Sequence, residues 1–322
     1  MENMDAAAKL LMALPEVFTD LVDFALRKTG FKVVRGSLKE RNAEAIAQQQ
    51  GLKRWYKKIC NDVITELEIT NGIVTAKMLV ALENQSHMSS IMPGRNLMTT
   101  AVRWDNWRRE MKQFHRMRKE LKTPQEVLDG VLLTDRMAPT LVLVVHFGQE
   151  IWKGPPKFTD TLECPLELKP ILAECPANVV SFYNLSPEEI DAMPPGALRA
   201  VAISIHYAQQ PEKLFHKWQT DPSFKPPRLD EMLDVIAIAT GLDNNMMKQL
   251  KEEDMKKTVS VIEQYLISKG ETREQARIMQ IYIQNRRNRH ITELQILKDL
   301  QSDFNLDEMK ARQYMESALS KA

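Results

Sequence analysis

Asp62, Glu83 and Gln85 are the residues of this chain whose types and spacing suit chemistry at a single point. Two carboxylates and an amide oxygen held together can ligate a hard divalent cation. Magnesium prefers oxygen ligands and usually takes only one or two carboxylates from the protein. A cation so held lowers the pKa of a bound water and stabilises charge on a transferring phosphate. The element that must gather these residues is a predicted β-hairpin. Residues 62–69 and 73–85 are rich in β-branched side chains and are separated by Thr70-Asn71-Gly72, and Asn-Gly is the strongest short hairpin signal. With Asn71-Gly72 as the loop, the numbers of facing residues sum to 143. Val63 then faces Val80, Leu67 faces Ala76 and Ile69 faces Val74 on one apolar face. On the other face Glu66 meets Lys77, Ile64 meets Leu79 and Asp62 meets Ala81. Residues opposite one another, and residues two apart along a strand, point to the same side. Asp62, Glu83 and Gln85 are therefore expected on one face, at one end of the hairpin. The plain alternative is that they are ordinary polar residues where strands fray into solvent. Leu79, Ala81 and Leu82, which lead straight into Glu83, place that carboxylate at the edge of a core and count against it.

Around the hairpin the pattern alternates between helix and strand. Apolar residues from Leu10 to Leu26 recur at three- and four-residue steps, which predicts a helix over 5–28 that restarts at Pro15. Residues 31–60 are polar and poorly periodic. A charged helix is expected at 95–122 and a short one at 124–133. Ala138–Phe147 is a near-continuous apolar run, as in a strand buried on both faces, and Asn178–Leu185 reads as another strand, followed by a helix start at Ser186. From Pro195 onward the pattern is helical, over roughly 196–217, 228–240, 254–268, 271–300 and 306–320, with the proline-rich stretch 220–227 as a linker. The expected class is α+β: a small mixed sheet flanked by helices over 1–219, with an all-α extension over 220–322.

Charge and composition set the outer limits. Lys+Arg number 44 and Asp+Glu 43, a net charge of +1, which excludes a globally basic nucleic-acid coat but not a local basic patch. Such a patch is present. Between Arg103 and Lys122 eight basic residues, Arg103, Arg108, Arg109 and Lys112 among them, stand against three acidic ones, with Trp104, Trp107 and Phe114 interleaved. A second basic-aromatic knot, Lys53 to Lys58 with Lys57 and Lys58 at its end, leads directly into Asp62. Both suit a phosphate backbone. The competing reading of the helix is a solvated face whose aromatics pack inward. Arg286 to His290 reads as surface charge or a partner-helix contact, and His146 as a hydrogen-bonded core histidine. His87, two residues past Gln85, is the one histidine near enough in sequence to relay a proton. The 18 methionines read as core gap-fillers. Three cysteines without short spacing argue against zinc and for a reducing compartment. No apolar run approaches the about 20 residues that span a bilayer. A cytoplasmic protein without membrane contact is expected.

The segment VALENQSHMSSIMPGR at 80–95 resembles the strand-to-helix passage of the Rpn-type recombination-promoting nucleases, also called YhgA-like putative transposases. VFTDLVDF at 17–24, CNDV at 60–63 and above all APTLVLVVHFGQEIWKGPPKFTDTL at 138–162 extend the resemblance over about residues 10–190. It implies a PD-(D/E)xK, restriction-endonuclease-like core with E-x-Q in place of the usual E-x-K, and a Mg²⁺-dependent endonuclease acting on DNA. On that resemblance Asp62 is the central metal-binding Asp, Glu83 the second metal carboxylate, and Gln85 stands where a lysine usually orients the attacking water. Asp20 matches the acid of the first helix, with Glu16 and Asp23 as rivals, and Arg95 matches an Arg that touches phosphate. Thr99 stands where the family usually has Tyr, and Asn61 where many relatives carry a basic residue. The rival expectation is a catalytically silent DNA-binding or protein-interaction module on the same fold. A third is that the helical tail acts as a homo-oligomerisation element.

Overall fold

The computed structural model describes residues 2–40, 63–225, 229–241 and 291–304, with the single positions 279, 282, 283, 286, 306, 308, 311, 312, 314 and 315. Asp62, Lys57 and Lys58 lie outside the described residues, as do the expected helix at 254–268 and most of the one at 306–320. The chain divides into two compact units, one of Met1–Ala208 with His216–Glu253 and one of Gln209–Phe215 with Asp254–Ala322. The first holds a six-stranded mixed sheet flanked by helices, an α+β architecture.

Two helices open the first unit, α1 (Glu2–Ala13) and α2 (Pro15–Leu26). The expected restart at Pro15 is present, with the proline in the first turn of α2, where its missing N–H costs nothing. Ala8, Leu11 and Met12 of α1 and Val17, Phe18, Leu21 and Val22 of α2 are almost fully buried. Each large side chain of that set contributes about 1.5–3 kcal/mol on leaving water. Two short strands follow, β1 (Lys32–Val33) and β2 (Lys39–Glu40), both antiparallel to β3. Neither was foreseen, because two residues carry no periodicity.

The hairpin is β3 (Val63–Thr70) and β4 (Thr75–Gln85), but its register differs from the expected one. Val63 faces Leu82 and Thr70 faces Thr75, so facing numbers sum to 145 and Ala81 lies opposite Ile64, not Asp62. The cause is the turn. Only Gly72 takes a positive φ, of 86°, whereas a two-residue turn of the Asn-Gly type needs two such residues. Asn71 acts through its side chain instead: Oδ1 accepts from Ile73 N at 3.0 Å and Val74 N at 2.8 Å, which lengthens the loop to Asn71–Val74. A shift of two residues leaves every side chain on its expected face. Asn71→Ala is expected to cost about 1 kcal/mol and lower the thermal midpoint accordingly; an unchanged midpoint would count against the turn's role.

The apolar run becomes β5 (Thr140–His146), parallel to β4 on one side and to β6 (Val179–Ser181) on the other. A central strand is covered on both faces, which is why it reads without alternation. The β4-to-β5 crossover is α3 (Met92–Arg118), followed by the short α4 (Pro124–Asp129). After β6 come α5 (Pro187–Asp191), α6 (Ala197–His206), α7 (Pro211–Thr220) and α8 (Asp230–Thr240). The helix expected over 196–217 is thus two helices, parted where Pro211 starts a new one. The expected linker is packed over its described part: Ser223 and Phe224 are buried, and Asp221 caps a 3₁₀ turn by accepting from Ser223 N at 2.9 Å.

In the second unit, α9 (Glu293–Phe304) contributes Ile296 and Leu300 to a core with Met279, Ile283, Ala311 and Met315. Ile291 and Thr292 precede it outside any helix, so the helix expected over 271–300 is not continuous. Arg286 is tied down here, 3.3 Å from Asp299 and hydrogen-bonded to the Tyr282 hydroxyl at 2.8 Å. No helix among the described residues is long and apolar enough to cross a membrane.

Candidate functional site

Glu83 and Gln85 end β4, two residues apart on one face of the sheet, as the alternation requires. Leu79 and Ala81 of the same row pack with Ile64 and Val142 in a small apolar cluster, so the row passes from core to polar at Glu83. Glu83 is only 4% exposed. A buried carboxylate needs a counter-charge, and Arg95 supplies one: its guanidinium forms an ion pair with Glu83 Oε1. Arg95 lies in the first turns of α3, which carries no acidic residue in its first turn. The β4 end and the start of α3 are thus joined at Glu83. Gln85 is half-buried beside it, with His146 of β5 as its partner in the sheet.

Asp20, the expected first-helix acid, is engaged by Arg35. Arg35 donates to its Oδ1 at 3.0 Å and also lies 3.6 Å from Asp23. Burial pushes the Asp20 carboxyl above the usual carboxylate range, against the opposing hydrogen bond and charge of Arg35. Asp23 is occupied by Val33 N at 2.6 Å, which fixes β1 against α2. Among the described residues no group of three or more His, Cys, Asp or Glu side chains is placed to hold a metal ion. The donor chemistry at the β4 end, a carboxylate and an amide oxygen, nevertheless suits a hard cation, and Asp62 is the residue next to Val63, the partner of Leu82.

His146 is fully buried, as expected of a core histidine. Ser181 Oγ gives its proton to Asn184 Oδ1 at 3.0 Å, so it accepts from His146 Nδ1 at 2.9 Å and fixes the tautomer. Burial holds the ring's pKa below the usual histidine range, with the nearby His87 acting in the same direction and Glu150 against it. The ring is neutral, packed edge-on to Trp152, with centroids 5.1 Å apart. Gly148 closes over it.

The basic helix α3 makes more internal contacts than its composition suggests. Arg103 lies 3.8 Å from Glu110, and Arg108 and Arg109 share Asp105 at 3.1 and 2.7 Å. Lys112 donates to Leu128 O at 3.0 Å and so ties α4 to α3. Its aromatics do not all turn inward: Trp104 is 50% and Phe114 40% exposed, with Arg118 stacked on Phe114. At its end lies a cluster that the sequence did not announce. His115 is buried between Glu120 (2.7 Å) and Asp135 (2.8 Å). The hydrogen bond to Glu120, and behind it that to Asp135, hold the imidazole pKa above its usual value against desolvation. A raised folded-state pKa stabilises below the unfolded value of about 6.5, and that stability is lost as pH rises through the folded pKa. Protection of the 115–136 backbone amides is therefore expected to fall across that window in the wild type and not in His115→Asn, as hydrogen exchange would show after correction for intrinsic rates. The three residues are too far apart in sequence for any spacing to have signalled them.

Cys164 and Cys175 are free thiols. Compared with known proteins, the chain matches no family model, no curated protein and no solved structure.

Proposed function

We propose that the chain is a magnesium-dependent DNA endonuclease of the recombination-promoting type, with a restriction-endonuclease-like core. The observation that carries this reading is the buried Glu83 carboxylate at the end of β4, in one row with Gln85 and beside the first turns of α3. In it, Asp62 and Glu83 hold the cation and Gln85 orients the water by its amide. The ion supplies a more acidic water and positive charge at the phosphate. The strand is held by the exposed aromatic and basic positions of α3, by Arg95, Arg103, Arg108, Arg109 and Lys112, and by Lys57 and Lys58. Surface ion pairs such as Arg109–Asp105 contribute about 0–1 kcal/mol, so phosphate readily replaces them. Asp20 completes the proposed metal set and, like Glu83, carries an arginine partner, Arg35.

The neutral amide at Gln85, where a lysine usually stands, favours a second reading: a silent module that binds DNA without cutting it. Nicking of supercoiled plasmid with and without Mg²⁺, by wild type and Glu83→Ala, separates the two. The nuclease reading expects Mg²⁺-dependent nicking by the wild type, reduced at least about a hundredfold in the variant. Equal nicking by both removes Glu83 from the site. Salt-dependent binding with no nicking by either supports the silent module.

A further inference from the structure

We propose that Arg95 is the resident counter-charge of Glu83, and that a divalent cation reaches this carboxylate only by displacing the guanidinium. The inference rests on the metal reading of Glu83 and adds the device that governs it. Three observations carry it. Glu83 is almost fully buried and its Oε1 is already taken by Arg95. A guanidinium and a divalent cation on one carboxylate repel each other in a poorly screened setting. Arg95 also lies at the wrong end of its helix, since the N-terminus of α3 carries the positive end of the macrodipole and no acidic residue in its first turn. A cation is disfavoured there unless it has a fixed partner, and Glu83 is that partner.

The exposure of the two side chains indicates which one moves. Glu83 is held in the sheet with its side chain 6% exposed, whereas the Arg95 side chain is 25% exposed and has a route to solvent. Displacement by a cation leaves Glu83 neutralised and frees a guanidinium beside the site, where a phosphodiester can accept it bidentately. Each group thus keeps a partner of opposite sign in both states: arginine on carboxylate at rest, cation on carboxylate and arginine on phosphate when loaded.

Calorimetric titration of Mn²⁺ into the full chain tests this, with thermal melting as a second readout. Arg95→Gln is expected to bind Mn²⁺ about tenfold more tightly than wild type, to melt lower without metal, and to gain more on adding it. Glu83→Gln is expected to lose the binding. Arg95→Lys, which keeps the charge but not the planar fork, is expected to fall between wild type and Arg95→Gln. Equal or weaker binding by Arg95→Gln, with wild type binding and Glu83→Gln not, overturns the displacement and leaves the metal site standing. If Arg95→Gln does not fold, Arg95→Lys decides: tighter binding than wild type supports the displacement, and equal or weaker binding overturns it. Binding by none of the proteins overturns both the displacement and the metal reading.

Discussion

Replacing Gly148 by alanine is expected to destabilise the protein by about 3 kcal/mol, at the upper end of what overpacking usually costs. A Cβ at this position would stand 2.4 Å from His146 Nε2 and 2.8 Å from the carbonyl oxygen of Ser86. Neither can give way cheaply. His146 is fully buried and anchored through Nδ1 to Ser181, and Ser86 follows Gln85, whose carbonyl receives Phe147 N at 2.8 Å. Relief of the clash must therefore open the ends of β4 and β5, where the proposed site lies. Differential scanning calorimetry is expected to show a fall of several degrees. Gly154→Ala is the comparison, because the atoms nearest its Cβ belong to the Trp152 side chain, at 2.9 Å, and not to backbone. Equal melting of Gly148→Ala and wild type would mean that the two strand ends are looser than the contacts imply.

Asp221→Ala is expected to have an effect of similar size, about 3–5 kcal/mol, from a different cause. Arg199 reaches Asp221 Oδ2 through two nitrogens, at 2.7 and 3.0 Å, and the carboxylate is almost fully buried. Alanine would strand the guanidinium, with Asp191 at 3.1 Å as its remaining anion, and would remove the cap on the 3₁₀ turn. Burial alone would raise the Asp221 pKa, but the hydrogen bonds from Ser223 and the Arg199 guanidinium outweigh it and hold the carboxyl below its usual value. A lowered folded-state pKa gives stability that is present above the unfolded value of about 3.9 and lost as pH falls through the folded one. Melting at pH 7 and in acid below the unfolded carboxylate value is therefore expected to separate wild type from variant at neutrality and to bring them closer as pH falls through the folded pKa. A gap that stays constant with pH would exclude the ion pair as the cause.

What could be read from the sequence was what has a period or a strong local code. The β5 run, the restart at Pro15 and the capped start at Ser186 all follow from such codes. The hairpin was legible as a hairpin, but its register was not: Asn71 serves as a side-chain acceptor and not as a second left-handed residue, a choice that the dipeptide does not encode. Asp221-Pro222-Ser223 reads as linker chemistry, yet the Arg199 that buries it lies 22 residues away. At the site, alternation placed Glu83 and Gln85 on one face correctly, whereas the ion pair with Arg95 depends on where the loop after β4 returns the chain. That return is tertiary, and spacing carries no trace of it.

In the proposed mechanism a cation held by Asp62 and Glu83 drives phosphodiester hydrolysis. The most direct measurement is the initial rate of cleavage of a labelled DNA duplex as a function of Mg²⁺ concentration, for wild type and for Asp62→Asn. The wild-type rate is expected to rise with Mg²⁺, saturate and disappear in EDTA, and to be lost in the variant. Cleavage that is independent of Mg²⁺, or equal in Asp62→Asn, would contradict it.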